Sequence, residues 1–386
     1  MTAAAIAQPI RRTRATPVLL NEWMFYIPYL LSVSVYFVFI DYGARVLAPA
    51  IVPAWVGLTA LYKVGWQGRR VATNAYMIQF VLVFAAVELS VSLLAQTTDY
   101  YAFRKIALPL TCAAPAMLRY YVTRWGMAIF LVMMFLVALY LTTQSSDLVE
   151  LSSATDSATE SILSVAFGGL AVWLLVARSY GLAGLAYVCC IIFFKRNAIV
   201  GVLGVTSLGM LTLWLSYRVR HAAFRQVLIA TAVGLMAASL FLPEIFGYIA
   251  SEYFRGYDAE YISVGRVPIY EYVIHDFSRS AIREQLFGHG SGSVESLIGS
   301  ARSLNAGLLL THNEYLSFLY DMGIIGTTLI FVALFRCAKA SLGATAVLLY
   351  IAAVMSIENI FLVSFVSLML FFLLSAYYRA SDDVSA

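Results

Sequence analysis

Apolar residues fall in long blocks along this chain, and the polar positions between them are few. Stretches such as 127–141 are apolar on every helical face rather than alternating in and out. Such a block fits a helix solvated by lipid, which must satisfy its own backbone hydrogen bonds. It excludes an outer-membrane barrel, whose strands alternate apolar and polar positions. With about 20 apolar residues needed per crossing, the pattern predicts spans over 24–40, 46–62, 74–95, 101–118, 125–143, 161–177, 180–194, 197–217, 226–248, 314–335, 340–356 and 359–378. The expected fold class is all-α: a polytopic membrane protein with about 12 transmembrane helices. One long polar segment, 251–310, separates the ninth from the tenth.

Basic residues set the expected orientation. With the N-terminus inside, cytoplasmic segments carry Arg11, Arg12, Arg14, Lys63, Arg69, Arg70, Arg119, Arg124, Arg178, Arg218, Arg220, Arg225, Arg336, Lys339 and Arg379. The short outer loops hold only Arg45, Arg104, Lys105, Lys195 and Arg196. The excess of inner Lys and Arg predicts that both termini face the cytoplasm. The acidic 145–160 loop and the 251–310 segment then lie outside. Arg11, Arg12 and Arg14 precede the first apolar block without a small-residue cleavage site after it, so an uncleaved anchor is expected. The whole chain, 1–386, reads as a single membrane domain, with 251–312 as a periplasmic loop within it. Ile269, Tyr270, Val273 and Phe277 recur at helical spacing there and predict an amphipathic helix lying on the outer leaflet.

Composition agrees. Of 386 residues 62% are hydrophobic and 12% charged, against about 25% charged in soluble domains. The net charge of +4 carries no nucleic-acid reading. Cys112, Cys189, Cys190 and Cys337 fall in or beside apolar blocks, spaced for neither a disulfide framework nor a zinc site, and read as small core residues.

The candidate chemistry collects at the outer border. His312, in Thr311-His312-Asn313-Glu314-Tyr315-Leu316, closes the polar segment, where a histidine can titrate near neutral pH and move a proton. Thr311 and Glu314 have the spacing of a capping box, which makes His312 equally a first-turn residue facing water. A helix N-terminus disfavours the imidazolium and favours a nearby anion, so capping and proton acceptance are compatible. Arg196, in Lys195-Arg196-Asn197-Ala198, fits a snorkelling side chain or a fork for diphosphate oxygens; Phe193 and Phe194 before it are expected against lipid. Arg266 precedes Pro268 and Tyr270, while Arg279 and Arg283 read as a solvated helix face. Gly288-His289-Gly290-Ser291-Gly292 follows no strand, which excludes a nucleotide-binding loop. It reads as a tight re-entry beside a site, with His289 structural. Asp41, in the first outer loop, has no evident acidic partner and reads as structural.

Taken together, Gly265-Arg266 with Ile269-Tyr270, then Leu286-Phe287-Gly288-His289-Gly290, then Thr311 to Leu316 with Gly323 and Gly326, resemble the C-terminal signature of the O-antigen ligase and polymerase superfamily. Lys195 to Ala198 resembles the upstream arginine motif of that superfamily. These are bacterial inner-membrane glycosyltransferases with a class-C-like, all-helical fold, and the specific part of the likeness covers about the second half of the chain. The resemblance implies a glycan on undecaprenyl diphosphate as donor and an acceptor saccharide, either a lipid-linked repeat unit or lipid A core. It implies no cofactor and no metal, and a chain-length regulator as a further partner besides membrane lipids. By the same likeness His312 corresponds to the catalytic base, and Arg196 and Arg266 to the groups that bind the diphosphate. Lys195, Tyr270, Gly288, Gly290, Asn313 and Glu314 are supporting positions of the matched motifs. Polymerase and ligase differ in acceptor, which these motifs do not separate; the reading leans to a polymerase of O-antigen, capsular or exopolysaccharide. A carrier or flippase of the same lipid-linked oligosaccharide stays open, and charge at mid-span is the feature expected to distinguish it.

Overall fold

The computed structural model describes residues 17–38, 48–95, 100–148, 163–193, 201–204, 206, 217–253, 266–301, 313–356, 361 and 364–379. The chain is mostly helical, as expected. In the first half run α1 (Trp23–Val38), α2 (Ile51–Leu61), α3 (Ala75–Ala95), α4 (Tyr100–Ala113), α5 (Arg124–Leu148), α6 (Leu163–Val176) and α7 (Tyr180–Ile192). The second half adds α8 (Tyr217–Ser239), α9 (Leu242–Tyr253), α10 (Val267–Arg279), α11 (Ile282–Phe287), α12 (Ser293–Ser300), α13 (Glu314–Arg336), α14 (Leu342–Met355) and α15 (Ser364–Ser375).

Among the described residues three helical stretches have the length and composition of a membrane crossing, Ala75–Ala95, His221–Ser239 and Glu314–Lys339, the last of them broken at Gly323. Seven shorter apolar helices accompany them. Twelve crossings are therefore not established. The expected 226–248 span is two helices, because Pro243 in the first turn of α9 has no N–H to continue α8. The last turn of α8 tightens at Leu240 and Phe241, whose N–H groups donate to the carbonyls of Ala237 and Ala238 at 3.1 and 3.0 Å. The 197–217 block lies mostly outside the described residues.

Helices α6, α14 and α15 form the centre, buried on nearly every side. Gly168 and Gly169 on α6 let it approach Tyr350 and Leu370 so closely that a Cβ at either position would collide with them. Outer helices invert the pattern of a water-soluble protein. Helix α3 buries Glu88 completely while Leu82 and Leu93 are 64% and 78% exposed. That distribution is compatible with an apolar surrounding.

The all-α expectation misses one element. Strands β1 (Leu20–Asn21), β2 (Tyr120–Thr123) and β3 (Ala376–Arg379) form a small parallel sheet in that order. Tyr120 lies between Leu20 and Ala376 in the register. Bridges from Val18 to Val71 and from Thr73 to Leu118 tie in a further segment. The sheet gathers the two ends of the described chain and two interhelical segments at one end of the bundle, together with Arg69, Arg70, Arg119 and Arg124. Asn74 fastens it by donating to the Ser375 hydroxyl at 2.8 Å. Phe193, expected against lipid, is buried and stacks on Phe167 with ring centroids 5.7 Å apart. The four cysteines are free and buried.

Candidate functional site

Helix α13 is broken where the sequence reads a continuous span. Gly323 has φ 66° and ψ −177°, a conformation open only to glycine. The break is a reversal: the Phe331 ring lies 5.1 Å from Tyr315 and 5.7 Å from Phe318. An unbroken helix would separate those pairs by about 24 and about 20 Å at 1.5 Å per residue. Two limbs, 314–322 and 324–336, thus fold back on each other. They are about 14 and about 20 Å long, each short of a hydrocarbon core of about 30 Å. The expected 314–335 span is accordingly a hairpin with Gly323 at its tip.

A helix break leaves carbonyls without their usual partners. Here the glycine-rich segment supplies them: the N–H groups of His289 and Gly290 donate to the carbonyls of Tyr320 and Asp321 at 3.1 and 3.0 Å. Gly288, Gly290 and Gly292 all have positive φ, as the expected tight re-entry demands. A Cβ at Gly323 would sit 2.5 Å from the Gly288 nitrogen, so tip and re-entry fit only as glycine on glycine. His289 is structural, as expected. Its ring stacks on Tyr320 at 4.2 Å, with Nε2 2.8 Å from the Ser280 hydroxyl and Nδ1 3.1 Å from the Tyr320 carbonyl.

Beneath the tip lies a buried charged node that sequence reasoning assigned elsewhere. Lys105 was expected in an outer loop; it lies inside α4, 5% exposed, with Nζ 2.5 Å from Asp321, 2.8 Å from Glu295 and 2.7 Å from the Ser317 hydroxyl. Asp321 also accepts from Gly292 N and Val294 N at 3.0 and 2.9 Å, capping α12. Glu88 stands beside Ser291, whose hydroxyl is the side-chain hydrogen-bonding group nearest its buried carboxyl. Glu314, expected to close a capping box, is instead buried and accepts from Phe361 N at 3.3 Å. Among the described residues, four buried carboxyls thus interact with a single ammonium. Burial raises the Glu295 carboxyl above the ordinary carboxylate value; Lys105 opposes the shift and Asp321 adds to it. Ionisable groups, the feature expected to distinguish a carrier, thus lie within the predicted spans 74–95 and 314–335 at Glu88 and Asp321. The signal was legible: Glu88 interrupts an apolar block, and Glu314, Ser317 and Asp321 recur at helical spacing on one face.

The expected site residues divide between described and undescribed positions. His312, Thr311, Arg196, Lys195 and Asp41 lie outside the described residues. Asn313 is the N-cap of α13, its side chain accepting from Leu316 N at 2.9 Å with extended backbone (φ −149°, ψ 105°). The cap therefore belongs to Asn313 rather than to a Thr311–Glu314 box, since Glu314 is the first helical residue and cannot reach back as a third one does. Arg266 is the N-cap of α10 and half-buried, and Tyr270 one turn later is fully buried. Arg279 and Arg283 are exposed. The apolar face of α10 packs on protein rather than lying free on a leaflet: Ile269, Tyr270 and Val273 join Val294, Ile298, Leu316 and Tyr320 in one cluster. Tyr320 also donates to Asp276 on α10 at 2.6 Å.

The arrangement can hold three separate stretches of chain in fixed register around the residues that follow His312. Its surplus of carboxyls can also take up and release protons. Among the described residues no group of His, Cys, Asp and Glu has the geometry of a metal site. In comparisons with known proteins, no family model matches the chain and no curated protein matches it.

Proposed function

We propose that this protein is a polytopic inner-membrane glycosyltransferase that moves a glycan from undecaprenyl diphosphate to an acceptor sugar at the periplasmic face. One observation carries the reading. The three stretches of the second half that carry the resemblance, around Arg266, Gly288 and Asn313, are distant in sequence yet meet in one cluster and one hydrogen-bonded re-entry. That scaffold carries Arg266 at the start of α10 and Asn313, the residue after His312, at the start of α13. His312 takes the proton of the acceptor hydroxyl as its oxygen attacks the anomeric carbon. Arg196 and Arg266 offset the charge growing on the departing diphosphate. The inside-out burial of α3 supports a membrane setting. A polymerase acting on lipid-linked repeat units is the favoured form, with ligation to lipid A core the alternative.

The test is polymer formation from purified lipid-linked repeat units, normalised to folded protein. His312→Ala should lose about 10²–10⁴-fold in rate. Arg266→Ala should fall strongly, with Lys restoring only part because it lacks the planar fork. Wild-type turnover in both Ala variants would sink the reading.

A second reading has its own observation. A broken helix beside buried Glu88, Lys105 and Asp321 is the kind of feature carriers place at their sites. A flippase of the same lipid-linked oligosaccharide would translocate it across vesicles without extending it, which the same preparation can measure.

A further inference from the structure

We propose that the groove between α8 and the second limb of α13 binds an anionic phospholipid, its phosphate at Arg225, Arg336 and Lys339 and an acyl chain along the groove. The cavity measures about 510 Å³ and has two chemically distinct parts. Leu228, Ile229, Val233, Met236, Phe331 and Phe335 supply the apolar wall. Arg225, Arg336 and Lys339 supply three cations at one end, where Arg336 and Lys339 are exposed and Arg225 is half-buried. None of the three forms an ion pair among the described residues. That end has a fixed shape, because His221 Nε2 on α8 lies 3.0 Å from the carbonyl of Ala338.

Charge and length choose the occupant. From Thr328 to Arg336 the limb rises about 12 Å, close to half of a hydrocarbon core of about 30 Å. The apolar wall therefore accommodates one leaflet's depth of chain below a cationic rim. The rim shares its end of the bundle with the basic sheet: Cys337 contacts Met77 at 3.5 Å, near the residues bridged at Thr73. Three cations at one mouth of an apolar groove complement a lipid phosphate above its acyl chain. The proposal rests on the membrane setting alone and not on glycosyl transfer.

Native mass spectrometry of the full-length protein, released from nanodiscs of mixed phosphatidylglycerol and phosphatidylcholine, tests it. The wild type should retain phosphatidylglycerol preferentially. Arg225→Gln with Arg336→Gln should weaken that preference about 25-fold, about fivefold per charge. Lys at both positions should keep most of it, which separates lost charge from misfolding. Val233→Trp should narrow the groove and reduce retention with the rim intact. Equal retention of the two lipids by the wild type would overturn the proposal. So would an equal loss in Arg69→Gln with Arg70→Gln, which removes charge from the same end but outside the groove. Absence of glycosyl transfer by the wild type with its lipid preference intact would count against the enzyme reading only.

Discussion

Replacing Lys105 by methionine removes the one ammonium among four buried carboxyls, and the structure sets the size of the effect. Lys105 and Asp321 are 5% and 0% exposed and 2.5 Å apart, with Glu295 at 2.8 Å. Such a pair is shielded from water, so the low values typical of surface ion pairs do not apply. Breaking a buried pair from one side costs about 3–5 kcal/mol because the partner keeps its desolvation penalty without its counter-charge. For 386 residues, an unfolding entropy of about 2.1 cal/mol/K per residue gives about 0.8 kcal/mol/K. The expected fall in apparent Tm is thus about 4–6 °C. Methionine keeps the bulk of the side-chain stem, so lost packing contributes little. The assay is thermal unfolding in detergent, comparing Lys105→Met, Asp321→Asn and the double variant. The double should cost less than the sum, since each change removes the reason for the other's penalty. An unchanged Tm in Lys105→Met, or strict additivity in the double, would show that these groups do not share one buried electrostatic node.

Gly323→Ala should destabilise by about 1–3 kcal/mol from backbone strain alone, and by more from the collision with Gly288, read as a loss of monodisperse protein on size exclusion. Asn313→Ala should cost about 1 kcal/mol as an N-cap while Asn313→Ser costs much less, measured as apparent Tm. For Glu295 the folded carboxyl titrates above its unfolded value, so its contribution is full below the unfolded pKa and is lost as pH rises through the folded one. The wild type should therefore lose Tm relative to Glu295→Gln as pH rises above the ordinary glutamate value of about 4.3; a pH-independent difference would refute the shift.

The blocks of apolar residues determined the helices, because a chain this poor in charge has few other ways to satisfy its backbone in an apolar surrounding. They also determined most helix positions, and the glycines of 288–292 announced a sharp re-entry before any contact was known. The predicted span from 314 began where α13 does, and the spacing of Ile269, Tyr270, Val273 and Phe277 marked α10. What the pattern could not decide was pairing. The hairpin of α13 depends on a positive φ at Gly323, and its limbs are apolar enough to pass for one span by composition. The cap of α13 fell to Asn313 because the helix begins two residues later than a Thr311–Glu314 capping box requires. Lys105 counted as an interfacial charge until the fold brought Asp321 and Glu295, remote in sequence, within bonding distance. The sheet has the same origin: β1 and β3 are a few residues each, and their hydrogen bonds exist only because the bundle closes its two ends together. Local sequence sets which segments must be helical and apolar, since that depends on neighbours along the chain. Which buried charges meet depends on neighbours in space, and only the tertiary structure decided that.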